Sequence, residues 1–185
     1  MYGMVNKAIE DLVTIKFGAD KWDAIKRKAG IEVDSFISND AYPDCITYGL
    51  VEAATEVLQL PASTILYAFG EFWVLHTAKK GYGDMLSAAG RDMPEFLDYL
   101  PQFHTRVALL FPHLKPPRFE CSDRRSNQIT MHYFSERKGL SVFVEGLLNG
   151  VAKLYETPAL VEQTRFKEKG DDHDEFLVRW GDALP

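Results

Sequence analysis

Apolar residues recur at helical spacing from the start of the chain. Met4, Val5, Ala8, Ile9, Leu12, Val13 and Ile15 trace a stripe at i, i+3, i+4 spacing, and Trp22, Ala24, Ile25 and Ala29 form a second that stops at Gly30. After a loop, Asp44 is placed to cap a helix carrying Ile46, Leu50, Val51, Ala54 and Val57. Pro61 takes the first position of the next helix, where its missing N–H is tolerated. That helix runs to about Thr77 with Leu66, Phe69, Trp73 and Val74, and the two glycines of KKGYGD predict a break. The segment PEFLDYLPQFHTRVALLF predicts another helix, interrupted or restarted at Pro101 and ended by Pro112, Pro116 and Pro117.

From Arg118 the period changes to that of a strand. Ile129, Met131 and Tyr133 alternate with Gln128, Thr130 and His132, and Phe119 to Cys121 can pair with that run across the polar SDRRSNQ turn. Leu140, Phe143, Val144, Leu147, Leu148, Val151 and Leu154 then restore a helix. Two strand-like runs follow, Leu160 to Phe166 and Asp174 to Trp180, joined by the turn-prone KEKGDDH. Helices first, then an antiparallel sheet of about four strands with one inserted helix, predict an α+β fold.

The length of 185 residues fits a single domain over 1–185. Lys and Arg total 21 against 27 Asp and Glu, with no basic block to neutralise a row of phosphates, so no nucleic-acid partner is expected. The longest uncharged run, Val57 to Gly70, contains Pro61 and is shorter than the roughly 20 apolar residues of a membrane span, so no membrane association is expected. Cys45 and Cys121 match no CxxC pattern and suit a reducing cytosol, which predicts a cytoplasmic protein without an all-cysteine metal site.

Of the five histidines, His132 on the polar side of its strand, His113 between prolines and His173 in a charged turn read as solvated, and His76 reads as a helix-end residue. His104 differs because its helical neighbours are Leu97, Leu100, Val107, Ala108 and Phe111. A lone imidazole on an apolar face is more often a core residue bonded to a carbonyl than a ligand. It also supplies what a five-coordinate haem requires, a neutral nitrogen for iron and apolar walls for the macrocycle. A second constellation is Tyr133, Ser135 and Arg137, which an extended chain would point to one side as a receptor for carboxylates. An Arg paired with a surface Glu beside a turn is the plainer reading of those three.

Tyr133, Ser135 and Arg137 resemble the YxSxR signature of the H-NOX (haem nitric oxide/oxygen binding) domains, the family that also supplies the haem domain of the soluble guanylate cyclase β subunit. The opening MYGMVNKAIEDLV, the helix with VEAATEVL, AFGEFW, PEFLDYLPQFH, PPRFEC and GLLNG resemble this family in the same order, so the likeness covers essentially the whole chain. The resemblance implies a haem b lying between the helical part and the sheet. Its iron would be bound by His104, its propionates held by Tyr133, Ser135 and Arg137, and its porphyrin pressed by Pro117. Val5, Ile9, Trp73, Leu100, Val107 and Phe143 complete the implied cofactor-binding set. Oxygen-holding members place a tyrosine hydroxyl over the iron; Phe143 stands at that position here and Ile9 where such members can carry tryptophan, so NO and CO are the expected ligands. The GDDHD turn resembles a region that holds cysteines and zinc in some members, but with His173 alone there no zinc is expected.

Together these readings describe a gas sensor that is not itself an enzyme, since the chain has no Walker, kinase or cyclase motif. The resemblance implies signalling in trans to a histidine kinase or a diguanylate cyclase. The alternatives are a sensor domain cut from a longer signalling protein, an oxygen-binding haem protein, and a haem-free interaction module in which His104 is an ordinary core residue.

Overall fold

The computed structural model describes residues 1–110 and 115–184. Pro112 and His113 lie outside them. Contacts divide the chain into two compact units, Met1–Phe69 and Gly70–Pro185.

The first unit is helical. α1 (Gly3–Phe17), α2 (Ala19–Lys28), α3 (Asp44–Leu58) and most of α4 (Ala62–Phe72) follow the predicted stripes. Ile9, Leu12, Val13, Ile25 and Leu50 are its buried centre, each contributing about 1.5–3 kcal/mol through removal from water. Gly18 joins α1 to α2 at φ +97, a conformation that a side chain would strain. Asp44 is not the residue before α3, where a cap sits, but that helix's first residue, and its carboxylate lies 2.5 Å from the Met1 ammonium.

The second unit holds the rest of α4, a π-helical turn (Trp73–Ala78), α5 (Lys79–Ala89), α6 (Met93–Leu110), β1 (Arg118–Ser122), β2 (Gln128–Phe134), α7 (Ser141–Leu154), β3 (Ala159–Arg165) and β4 (Asp174–Trp180). The expected break at KKGYGD is absent: α5 runs through both glycines. Each costs about 1 kcal/mol relative to alanine, and burial of Ala78, Leu86 and Ala89 along this helical run offsets that cost. The sheet order is β1-β2-β4-β3 with every pairing antiparallel. Its inward face presents Phe119, Ile129, Met131, Tyr133, Phe176 and Val178 to Leu97 and Leu100 of α6 and to Val144, Leu148 and Val151 of α7 in one apolar cluster.

α7 approaches the α4 segment too closely for side chains. A Cβ on Gly70 would stand 2.6 Å from the Leu147 nitrogen, and one on Gly150 would stand 3.0 Å from Val74 Cβ. No described helix is long and apolar enough to cross a membrane.

Candidate functional site

α6 carries Pro101 in its interior, three residues before His104, yet the helix runs unbroken from Met93 to Leu110. A proline has no N–H for the carbonyl four residues earlier, here that of Leu97. Cys121 of β1 makes up the deficit, its Sγ lying 3.4 Å from Leu97 O and 3.6 Å from Met131 Sδ. The thiol has one hydrogen to give, and the carbonyl is the better acceptor. Burial, with Asp98 nearby, pushes the thiol pKa up to about 11, so the donor keeps its proton. The predicted interruption at Pro101 is therefore replaced by a tie between helix and sheet.

Three residues on, His104 Nδ1 lies 3.1 Å from the Leu100 carbonyl oxygen. A carbonyl only accepts, so Nδ1 carries the hydrogen and Nε2 keeps its lone pair. Burial lowers the pKa of the ring, an effect the bond to Leu100 opposes in part. A neutral imidazole with Nε2 unprotonated is the form that binds a metal ion. Phe103 and Phe119 flank the ring at centroid distances of 5.8 and 4.7 Å. Phe119 stands opposite Tyr133 in the β1–β2 register, their rings 5.3 Å apart. An aromatic wall thus runs from His104 to Tyr133, with Leu100 buried and Val107 half-buried on the same helix.

The YxSxR residues do not share one extended face. β2 ends at Phe134, so Tyr133 is a buried strand residue while Ser135 and Arg137 lie beyond the strand. The cause is local: Ser135 Oγ accepts from the Arg137 backbone N–H at 3.1 Å and curls the chain. Arg137 Nη1 donates to the Lys115 carbonyl at 2.8 Å, which draws the segment leading to Pro117 toward the end of β2. Lys167 Nζ reaches the Ser135 carbonyl at 2.5 Å and adds a second cation. Tyr133, Ser135, Arg137 and the Pro117 segment are therefore assembled, and Phe119 links them to His104.

The remaining predicted residues are more dispersed. Trp73 lies in the π-helical turn, half-buried against the apolar cluster, and Phe143 lies half-buried in the first turn of α7. Val5 and Ile9 lie on α1 of the first unit, Ile9 fully buried and Val5 half-buried.

Sequence reasoning missed Phe119, Cys121, Lys115 and Lys167. Phe119 was legible as an inward strand position, whereas the other three act through contacts between distant segments. It also misplaced three histidines. His76 is in the π-helical turn, stacked on Phe72 at 4.4 Å, rather than at a helix end. His173 is buried at 5% exposure and, with half-buried His132, belongs to a hydrogen-bonded pair rather than to solvent.

One neutral imidazole with an available lone pair, an aromatic wall and a cationic, hydroxyl-bearing end suit an amphipathic, dianionic metallomacrocycle. A haem makes those three demands, and the residues present fit it.

The Haem-NO-binding family model matches residues 2–163 of the chain. Two guanylate cyclases of Caenorhabditis elegans are among the similar proteins. Soluble guanylate cyclase gcy-37 is 30% identical over 156 residues, 83% of this chain and 22% of that protein. Soluble guanylate cyclase gcy-31 is 27% identical over 163 residues, 88% of this chain and 23% of that protein. The chain thus spans about a quarter of the length of the curated relatives it matches.

Solved structures share the fold. An H-NOX protein from S. oneidensis in the Fe(II)NO ligation state superposes with a TM-score of 0.88 at 21% identity, covering 98% of this chain and 100% of that one. An Fe(II) unliganded H-NOX protein from K. algicida gives 0.85 at 22% identity, covering 100% and 99%.

Proposed function

Because the chain belongs to the haem-NO-binding (H-NOX) family, we propose that it holds a haem b on His104 and acts as a sensor of NO, with CO as a second ligand. The observation that carries the reading is the tautomer of His104. Its Nδ1 hydrogen is committed to the Leu100 carbonyl, so Nε2 offers a lone pair beside an aromatic wall. Bound haem would supply a ferrous iron able to take up diatomic gases. Tyr133, Ser135 and Arg137 would anchor the propionates, Arg137 by charge-assisted bonds, and Pro117 would press on the macrocycle edge. Val5, Ile9, Trp73, Leu100, Val107 and Phe143 would exclude water from it.

Phe143 and Ile9 carry no hydrogen-bond donor. Bound oxygen carries partial negative charge and needs one, whereas NO and CO do not, so the pair favours these two gases. His104 is also the output. It would join the cofactor to α6, which Cys121 links to β1, so a change of ligation at His104 would be passed to that helix and through it to the sheet. Such a two-state change signals only through a partner that binds the two states differently. A histidine kinase or a diguanylate cyclase acting in trans is the proposed partner, and the domain itself performs no catalysis. The relatives' greater length supports a second reading, in which this domain works inside a longer signalling polypeptide.

An absorption spectrum of the purified protein tests the reading. A Soret band that shifts with NO and CO, but forms no stable oxygenated species in air, is the expected result. Absence of the band leaves a haem-free interaction module, and a persistent oxygenated spectrum makes the protein an oxygen binder instead.

A further inference from the structure

The outward face of the sheet carries a second cluster of ligating groups. His132 of β2 stands opposite Glu175 of β4 in the strand register, and His173 precedes β4 by one residue. His132 Nδ1 lies 2.8 Å from His173 Nε2 and 3.5 Å from Glu175 Oε2. One ligand atom from each of the three residues falls within 4.8 Å of the others. We propose that His132 Nδ1, His173 Nε2 and a Glu175 carboxylate oxygen form a three-ligand site for a divalent metal ion of the zinc type, separate from His104 and containing no cysteine.

Each imidazole is already oriented from behind. His173 Nδ1 donates to Asp172 Oδ1 at 2.7 Å, and His132 Nε2 lies 2.7 Å from Ser122 Oγ. Metal-binding histidines characteristically have their second ring nitrogen held by a carboxylate or another oxygen in this way. Without metal, the proton count is constrained. Asp172 accepts from Nδ1 of His173, so neutral His173 presents a lone pair at Nε2. His132 must then donate its Nδ1 hydrogen to that lone pair, and its Nε2 accepts from the Ser122 hydroxyl. A single hydrogen therefore occupies the space between the rings. On metal uptake that hydrogen shifts from Nδ1 to Nε2 of His132, Ser122 turns from donor to acceptor, and both rings present lone pairs to the ion.

The spacing agrees. Ligand atoms around a tetrahedral ion with metal–nitrogen bonds of about 2.0–2.1 Å stand roughly 3.3 Å apart. The observed 2.8 and 3.5 Å lie on either side of that value, and His173 and Glu175, within 4.8 Å of each other, would close around the ion. Two nitrogens and one oxygen suit Zn(II), Co(II) or Ni(II) rather than Mg(II) or Ca(II). Glu175 is positioned by Thr164, whose hydroxyl donates to Oε1 at 2.6 Å, and Arg165 Nε lies 3.5 Å from Oε2. Arg165 stands in for the ion's charge, and its half-exposed side chain is able to swing away. The His132 and Glu175 side chains are 19% and 17% exposed, which leaves an open side for an ion to enter and for water as a fourth ligand. His173 alone in its turn gave no reason to expect a metal; its co-ligands come from β2 and β4.

The test uses untagged holoprotein stripped of loosely bound metal by a chelator. Co(II) is titrated with detection in the visible range, and Zn(II) by calorimetry. Expected are one equivalent taken up, the absorption of a low-symmetry four-coordinate cobalt site without a thiolate charge-transfer band, and an unchanged Soret band. His132→Gln and His173→Gln should each weaken binding at least tenfold, and Asp172→Asn about tenfold through the oriented ring. His76→Gln, an exposed histidine outside the cluster, should leave it unchanged. The proposal is overturned if the unmodified protein takes up no equivalent, if a folded His132→Gln, His173→Gln double variant takes up as much, or if a thiolate band places the ion on cysteine. Uptake and the band are read on the unmodified protein, so a variant that fails to fold does not decide the matter.

Discussion

At the scale of single residues, His104 sets the expectations. Removing its imidazole as His104→Gly should yield protein that retains haem only when free imidazole is supplied, read as recovery of the Soret band; a normal five-coordinate spectrum without imidazole would remove His104 from the site. Its pKa also gives stability a sign. A histidine is protonated below about 6.5 in the unfolded chain, whereas burial holds native His104 neutral to lower pH. The unfolded state therefore binds more protons in that window, and stability falls as pH drops below about 6.5 toward the native pKa. The urea midpoint of the haem-free protein should decline between pH 7.5 and 5.5, and His104→Leu should flatten that decline. Arg137 is the other sensitive position. On the proposed propionate-anchoring role, Arg137→Ala would remove charge-assisted bonds worth about 1.5–3 kcal/mol each, so haem transfer to an acceptor should become roughly tenfold faster or more. An unchanged transfer rate would place the propionates elsewhere.

At the scale of elements, the tie between α6 and β1 is open to a double-mutant cycle. Cys121→Ala leaves the Leu97 carbonyl without its sulfhydryl partner and should cost about 1–3 kcal/mol. Pro101→Ala restores a backbone N–H to that carbonyl, so the same cysteine change should cost clearly less in its presence. Equal costs in the two backgrounds, measured by denaturant unfolding, would show that the thiol does not serve the helix. α7 offers a second case. Gly70→Ala sets a methyl group against the α7 backbone at Leu147, and overpacking of this kind costs typically 1–3 kcal/mol. Helix propensity alone would favour alanine by about 1 kcal/mol, so even the direction of the change separates packing from propensity.

For the whole molecule the question is ligand choice. Without a donor at Phe143 or Ile9, the ferrous protein should bind NO and CO and remain unoxygenated in air-equilibrated buffer. Phe143→Tyr introduces a hydroxyl among apolar groups, where a hydrogen bond is worth more than in water, and should raise oxygen affinity measurably. A persistent oxygenated spectrum in the unmodified protein would show that another group supplies the donor and would end the claim of NO selectivity.

Much of this architecture is local and was therefore written in the sequence. The stripes of α1, α2, α3 and α7 and the alternation of β1, β2 and β4 depend on neighbours a few residues apart, and their period is the signal. His104 and YxSxR were legible because motif and apolar context travel with the chain. What the sequence left undecided was settled by contacts between remote segments. A proline that should interrupt α6 is tolerated because a cysteine on β1 meets the stranded carbonyl. Two glycines that should break α5 are carried by burial along its face. Ser135 and Arg137 leave the strand because a hydroxyl bonds to the backbone two residues on. A histidine assigned to a solvated turn becomes buried because β4 pairs with β2 and brings His132 beside it. In each case a local preference of about 1–3 kcal/mol is outweighed by burial or by a partner that only the folded chain supplies.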